Sequence, residues 1–287
     1  MTGFDDASTL RPTGGSTFAW DVPDGWQQGR GAWGGLVVGA LVRAVCAVDP
    51  SPVRSVSVQM SAPATVGPHV VAIAPVRRGR SMTTWRGSVA TVRGEAVASM
   101  VAIVGPARSS AEESAAWSEY SAPVLPSAGE IVPLPPGLDG FPRFMERCEF
   151  RVVEGLPLSG APARCSGWVR LREDPAPTAA WLIGLVDAWW PASMPAFEVL
   201  RRIATVNFTA NLLVDPATVD PATPLAYDAS VSAAAEGFTS EHRTLWTPDG
   251  RLAVDNLQTI VVGSARAPAR RLVRVTRGGR RVFAPAA

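Results

Sequence analysis

Three stretches in the second half of the chain hold polar side chains where the surrounding pattern calls for apolar ones. Together they offer an acid, a hydroxyl and an amide. Asp187 is the only charge within residues 181–190, among Leu185, Val186, Trp189 and Trp190. A carboxylate buried there is costly unless it is hydrogen-bonded, titrates high or lines a cavity. A solvent-facing Asp near a helix end is the bland alternative, and the aromatic surroundings favour the functional reading. Residues 203–213 split under period two, with Ala204, Val206, Phe208, Ala210 and Leu212 on one face. Thr205, Asn207, Thr209 and Asn211 occupy the other, which taken alone reads as an ordinary solvent face, since Thr is a good strand former. Residues 252–262 place Asn256 and Gln258 on the face of Leu252, Val254, Ile260 and Val262. A buried Gln must have its groups paired, and a satisfied structural amide fits this pattern as well as a working one. An acid, a hydroxyl and an amide on three successive layers suit the positioning of a water molecule. They name no substrate.

The elements that would hold these residues come in two copies. GGLVVGALVRAVCAV, opening at Gly34 and Gly35, is apolar nearly all round and predicts a buried helix. Strand patterns follow at residues 53–62, 69–75, 81–92 and 96–104, the last two flanking a turn at Arg93 and Gly94. The second half repeats the order: an apolar helix at 179–190, then strands at 201–214, 225–234, 238–246 and 252–262. Pro248-Asp249-Gly250 joins the last two as a hairpin turn. Gly79 and Gly105 stand as far apart as Gly237 and Gly263, and the two segments end alike, in AIVG and IVVG. A helix followed by antiparallel strands, given twice, predicts an α+β chain of two fused hotdog domains, each a buried helix wrapped by a sheet. The expected units are residues 1–106, a Pro- and Ser-rich linker at 107–145 with a short helix near 111–120, residues 146–265, and an Arg-rich tail at 266–287. A cleft between such halves is where a ligand is expected.

Composition narrows the function classes. The chain has 287 residues, 27 basic against 25 acidic, a balance that argues against nucleic acid as a partner. Every basic residue is Arg. Cys46, Cys148 and Cys165 are odd in number, widely spaced and form no CxxC, so neither a zinc site nor a disulfide framework is expected. The opening MTGFDDASTLRPTGG lacks the apolar core of a signal peptide, and the longest apolar run, 36–48, is too short for a membrane span. A cytoplasmic protein without metal or cofactor is expected. Pairing of sheet edges would also allow a homo-oligomer.

At this point the residues resemble a known family. GAWGGLVVGALVRAV, VRSVSVQMSAPATVG and RRGRSMTTW are similar to the N-terminal half of the type II acyl-CoA thioesterases, which are double-hotdog enzymes. LVDAWWP, RIATVNFTANLL and LAVDNLQTIVVG stand where that family carries its Asp, Thr and Gln. The resemblance, running from about Gly29 to Gly263, implies a catalytic trio of Asp187, Thr205 and Gln258. The family also carries an acidic residue and a histidine shortly after the Thr, where this chain has Asn207 and Phe208. A first-half histidine is replaced at about Ser57.

The activity so implied is hydrolysis of a fatty-acyl or related thioester, on CoA or a carrier, by water attack, within fatty acid metabolism. Backbone N–H groups at Gly34 and Gly35 would polarise the carbonyl. Trp33, Trp189, Trp190 or Phe208 would line an acyl tunnel, and Asn207 could still hydrogen-bond the substrate. Arg78, with Arg77 and Arg80, would meet the CoA phosphates, although a solvated turn explains that run as well. Two rivals stand beside this reading: a non-catalytic acyl-thioester-binding protein, and a hydratase or dehydratase on the same fold. The latter needs a histidine, and His69 is expected at a turn and His242 on an exposed strand face.

Overall fold

The computed structural model of the chain describes residues 3–107 and 119–265. After a single helical turn at Phe4–Ala7, the first half runs through two strands, β1 (Arg11–Gly14) and β2 (Thr17–Val22), to helix α1 (Gly34–Val48). Four strands complete it: β3 (Val53–Met60), β4 (Gly67–Arg78), β5 (Thr83–Thr91) and β6 (Ala96–Val104). The second half repeats the plan with β7 (Cys148–Glu154), β8 (Arg164–Leu171), helix α2 (Ala179–Leu185), β9 (Arg201–Leu212), β10 (Leu225–Ala235), β11 (Phe238–Trp246) and β12 (Leu252–Ala265). These twelve strands join one antiparallel sheet in the order β1-β2-β4-β5-β6-β3-β9-β12-β11-β10-β8-β7, and residues 27–28 pair with 31–32 in a separate two-stranded sheet. From either outer edge to the central β3·β9 joint, the connection pattern is identical. The architecture is α+β, a double hotdog.

Helix α1 is buried because its sequence leaves it no polar face: Leu36, Val38, Leu41, Val42 and Val45 are fully enclosed. Pro50 forces Asp49 out of the helical region, and the helix ends there. The two helices meet at glycines. A Cβ on Gly35 would lie 2.4 Å from the Gly184 carbonyl oxygen, and one on Gly184 would lie 2.9 Å from that of Gly35. The halves are thus joined twice, by β3·β9 pairing and by this helix crossing.

Two sequence expectations need amendment. The repeat is not a helix and four strands but a helix and six. The extra pairs were obscured because β1 is short and exposed. In β7, Glu149 is buried and ion-paired to Arg151 at 2.7 Å and Arg170 at 3.1 Å, charges that break an apolar alternation. His69 lies inside β4 rather than at a turn, nearly fully buried, with Nδ1 3.0 Å from the Gly67 carbonyl oxygen. The expected helix at 111–120 falls largely, and the Arg-rich tail at 266–287 wholly, outside the described residues. Among the described residues, no helix is long and apolar enough to cross a membrane.

Candidate active site

Apolar periodicity predicts a helix over residues 179–190, yet α2 stops at Leu185. The chain then tightens: the Asp187 N–H bonds the Gly184 carbonyl at 3.0 Å, and the Ala188 N–H bonds that of Leu185 at 2.9 Å. Pro191 cannot continue a helix. Trp190 Nε1 donates to the Gly155 carbonyl at 2.8 Å, and Trp189 stacks on Tyr227 with ring centroids 4.7 Å apart. This turn aims Asp187 away from its own helix and toward the start of α1.

That helix start lacks a cap of its own. Trp33, the N-cap residue, offers no side-chain hydrogen bond, and the first turn holds no acid. Asp187 from the other half places a carboxyl there, and the Gly35 backbone amide hydrogen-bonds to it, an acid where the helix dipole favours one. Gly34 lies so close that a Cβ there would be 2.6 Å from Asp187 Oδ2. Gly34→Ala is therefore expected to lower turnover by about a hundredfold through displacement of the carboxylate. Its melting temperature should stay within a few degrees of wild type, and paired kinetic and thermal measurements check both.

Trp33 does not face an open tunnel. Its ring is fully buried between Trp26, at 6.1 Å, and Phe144, at 5.0 Å, both nearly parallel to it. Its Nε1 donates to the Asp187 backbone carbonyl at 2.9 Å. Placed there, Trp33 braces the turn that carries Asp187.

Thr205 reaches the site through a fault in strand periodicity. Thr205 pairs with Ile260 but Asn207 pairs with Thr259, so Val206 is an extra residue, a β-bulge. Beyond it the faces exchange. Thr205 therefore shares the inner face with Phe208, Ala210 and Leu212, while Asn207 and Thr209 turn outward. Gln258, fully buried opposite Phe208, has all its groups engaged. Thr205 Oγ1 donates to Gln258 Oε1 at 2.9 Å, and Gln258 Nε2 donates to Asp187 Oδ1 at 2.9 Å and to Asn256 Oδ1 at 3.1 Å.

Asp187, Thr205 and Gln258 are thus one connected chain, with Gly34 and Gly35 against its acidic end. Asn207 and Arg78 are not brought to it. Asn207 lies on the outer face, accepting from Thr209 Oγ1 at 3.5 Å. Arg78 sits over Trp85 at 5.4 Å, near Asp49, beyond the far end of α1. Fifteen helical residues, roughly 22 Å, separate it from the site. Of the departures from the thioesterase pattern, Ser57 lies on the outer face beside Thr209, and only Phe208 borders the trio.

Two functional candidates were missed in the sequence. Glu241 and Arg243 are 0% and 1% exposed, although both are charged. Arg243 Nε donates to Glu241 Oε1 at 2.8 Å, and its Nη1 lies 3.4 Å from Asp187 Oδ1. Their signal was available in the parity of β11, where residues 239, 241 and 243 alternate in step with the core residue Leu245. His242, on the opposite face, is half-buried and pairs with Asp255 at 2.5 Å rather than standing free in solvent.

Burial pushes the Asp187 carboxyl above the ordinary range, while Arg243, Gln258 and the Gly35 amide pull the other way. Burial also raises the Cys148 thiol to about 12 and the Cys165 thiol further still, so neither is a nucleophile at neutral pH. Two surface cavities, of about 220 and 460 Å³, open beside Phe141 and beside Trp26, and neither is lined by the trio. Thr205 is the only half-buried member of the three, which places the approach from solvent on its side.

Comparison with known proteins agrees in both halves. Residues 22–105 match the family model described as acyl-CoA thioesterase N-terminal domain, and residues 126–262 match the one described as acyl-CoA thioesterase C-terminal domain. A hot dog fold protein of unknown function from Alicyclobacillus acidocaldarius is 24% identical, with a TM-score of 0.83, over 93% of this chain and 98% of that one. An acyl-CoA thioesterase II from Mycobacterium marinum is 19% identical with a TM-score of 0.69, over 91% and 98%. A tesB protein of Mycobacterium avium subspecies paratuberculosis is 14% identical with a TM-score of 0.72, over the same shares. At these identities the structures speak for the fold. No curated protein matches the sequence.

Proposed function

We propose, for a chain that belongs to the acyl-CoA thioesterase family, that it hydrolyses a fatty-acyl or related thioester by direct attack of water, with Asp187 as general base. The observation that carries this reading is the unbroken chain from Thr205 Oγ1 through Gln258 to Asp187 Oδ1. It fixes the direction of every hydrogen bond. Thr205 spends its proton on Gln258, so toward a water its oxygen can only accept. Asp187 spends Oδ1 on Gln258 and Arg243, which leaves Oδ2, on the Gly34 side, as the basic oxygen.

A water held between the two would direct one hydrogen to Asp187 Oδ2 and the other to Thr205 Oγ1, aiming a lone pair at the thioester carbon. Attack would pass the first proton to Asp187 and form a tetrahedral oxyanion facing the Gly34 N–H at the start of α1, the Gly35 N–H being given to Asp187. Collapse would expel the thiolate, a good leaving group, which takes up the proton. No covalent enzyme intermediate is needed. The hydratase alternative loses its histidine: His69 is held in β4, and His242 pairs with Asp255 on the outer face.

Release of free thiol from a chain-length series of acyl-CoAs tests the activity, and absence of turnover across the series would refute it. Within that assay Thr205→Val removes the acceptor for the water while keeping the side-chain shape. The expected result is a kcat about ten- to a hundredfold lower with KM nearly unchanged. A KM effect alone would show that Thr205 binds substrate rather than water.

A further inference from the structure

Arg243 is among the largest fully buried side chains of the protein. It stands between two buried carboxylates that it treats unequally. Its Nε is 2.8 Å from Glu241 Oε1, whereas its Nη1 is 3.4 Å from both Asp187 Oδ1 and the Trp189 carbonyl oxygen. Glu241 is fixed in turn, its Oε2 accepting the Ala192 N–H at 2.8 Å. Both ends of the turn that presents Asp187 are therefore tied to one guanidinium, itself anchored on β11. A buried ion cluster of this kind is weak evidence for stability, because the desolvation cost offsets most of the attraction. A different role is needed to explain it.

We infer that Arg243, gripped by Glu241, is a positioning residue that holds Asp187 in place as a carboxylate with its second oxygen left to the Gly34 side. The inference rests on the reading of Asp187 as the base. Without a cation, a carboxyl enclosed among Trp189, Trp33 and Gly34 would take up a proton and could no longer accept one from water. With a cation devoted to it alone, it would be ionised but locked in a tight pair and weakened as a base. Glu241 resolves the conflict by taking the close, charge-assisted bond and leaving Asp187 the looser one.

Among the described residues, the other groups facing this cluster add no second cation: β10 brings Tyr227, β8 brings Cys165, and β12 brings the Gln258 amide. The Tyr227 hydroxyl is buried and makes no hydrogen bond. Arg243 and Glu241 should therefore move the titration of Asp187 in opposite directions. Removing the cation leaves burial unopposed, so the carboxyl stays protonated to higher pH. Removing the Glu241 charge takes away a like charge and frees the guanidinium for Asp187, so the carboxyl ionises at lower pH.

The test uses the full chain with Arg243→Met, Arg243→Lys and Glu241→Gln. Two readouts are taken: the acid limb of kcat/KM against pH on an acyl-CoA, and the Asp187 carboxyl titration by carbon-13 NMR, assigned with Asp187→Asn. Arg243→Met should raise the midpoint by about one pH unit or more and Glu241→Gln should lower it. Arg243→Lys, which keeps the charge, should stay nearer wild type than Arg243→Met. Superimposed midpoints, or shifts of one sign in both charge-removing variants, would overturn the inference, since a packing role lowers thermal stability without opposed shifts. If Arg243→Met does not fold, Glu241→Gln and Arg243→Lys decide alone. A wild-type protein that turns over no acyl-CoA would refute the proposed function, while the NMR midpoints would still judge Arg243.

Discussion

Asp187→Asn should lose at least about a thousandfold in kcat while melting at the same temperature as wild type or higher. The two halves of this expectation have separate causes. An amide has no basicity to take the water proton, and the backbone donors at α1 cannot replace it. Geometry should survive, because an Asn oxygen can still accept from Gln258 Nε2 at the Oδ1 position. Stability follows from the direction of the titration. Burial raises the folded-state value of Asp187, so the stability it lends is complete below its unfolded value and is lost as pH rises through the raised one. At neutral pH the ionised group is a liability, and the neutral amide removes it. The gain in melting temperature should therefore be least below the unfolded value and grow as pH rises through the raised one. Full activity in the variant would end the assignment of Asp187. A variant much less stable at pH 8 would show that Arg243 depends on this charge more than on Glu241.

The largest expected loss of stability comes from a methyl group, in Gly35→Ala. A Cβ there would meet Trp33 Cζ2 at 2.3 Å and the Gly184 carbonyl oxygen at 2.4 Å, distances that require something to move. Neither neighbour is free to do so. The Trp33 ring is clamped between Trp26 and Phe144 and hydrogen-bonded to Asp187, and Gly184 is backbone within α2. Overpacking that cannot relax costs about 3 kcal/mol or more, which for a chain of this size is a fall of roughly 10 °C. Activity should fall with it, because the crossing also sets the distance from α1 to Asp187. Gly39→Ala is the control. Its Cβ would meet the tip of the Phe4 ring at 2.7 Å, a side-chain atom rather than backbone, so the loss should be smaller than in Gly35→Ala. A Gly35→Ala protein melting within about 2 °C of wild type would mean that the helices separate easily.

The recognised part of the fold was legible because its signals are local. Helix α1 shows as an unbroken apolar run, and β11 and β12 as two alternating segments around Pro248-Asp249-Gly250. Their repetition announces the duplication without any structure. Asp187 and Gln258 were visible for a related reason, as polar residues whose nearest sequence neighbours are all apolar. The end of α2 was less legible. Residues 186–190 suit a helix in composition, and it is the docking of Trp189 on Tyr227 and of Trp190 on Gly155 that turns them out of it.

Local pattern suffices for the cores of both long helices, eight of the twelve strands of the large sheet, the two-fold plan and the oddness of Asp187 and Gln258, since each depends on residues a few positions apart. Which faces those residues present, and whom they meet, depends on packing in three dimensions. One extra residue at Val206 reverses the parity of β9, bringing Thr205 inward and sending Asn207 out, and periodicity cannot show where a strand slips by one. The start of α1 is capped by an Asp from the other half, and Arg243 is shared between carboxylates 2 and 56 positions away. Arg78, expected to contact the substrate's phosphates, is parted from the trio by the length of a helix. Each of these is fixed by register and burial across the joined halves, where the cost of an unpaired buried charge selects partners that proximity along the chain does not reveal.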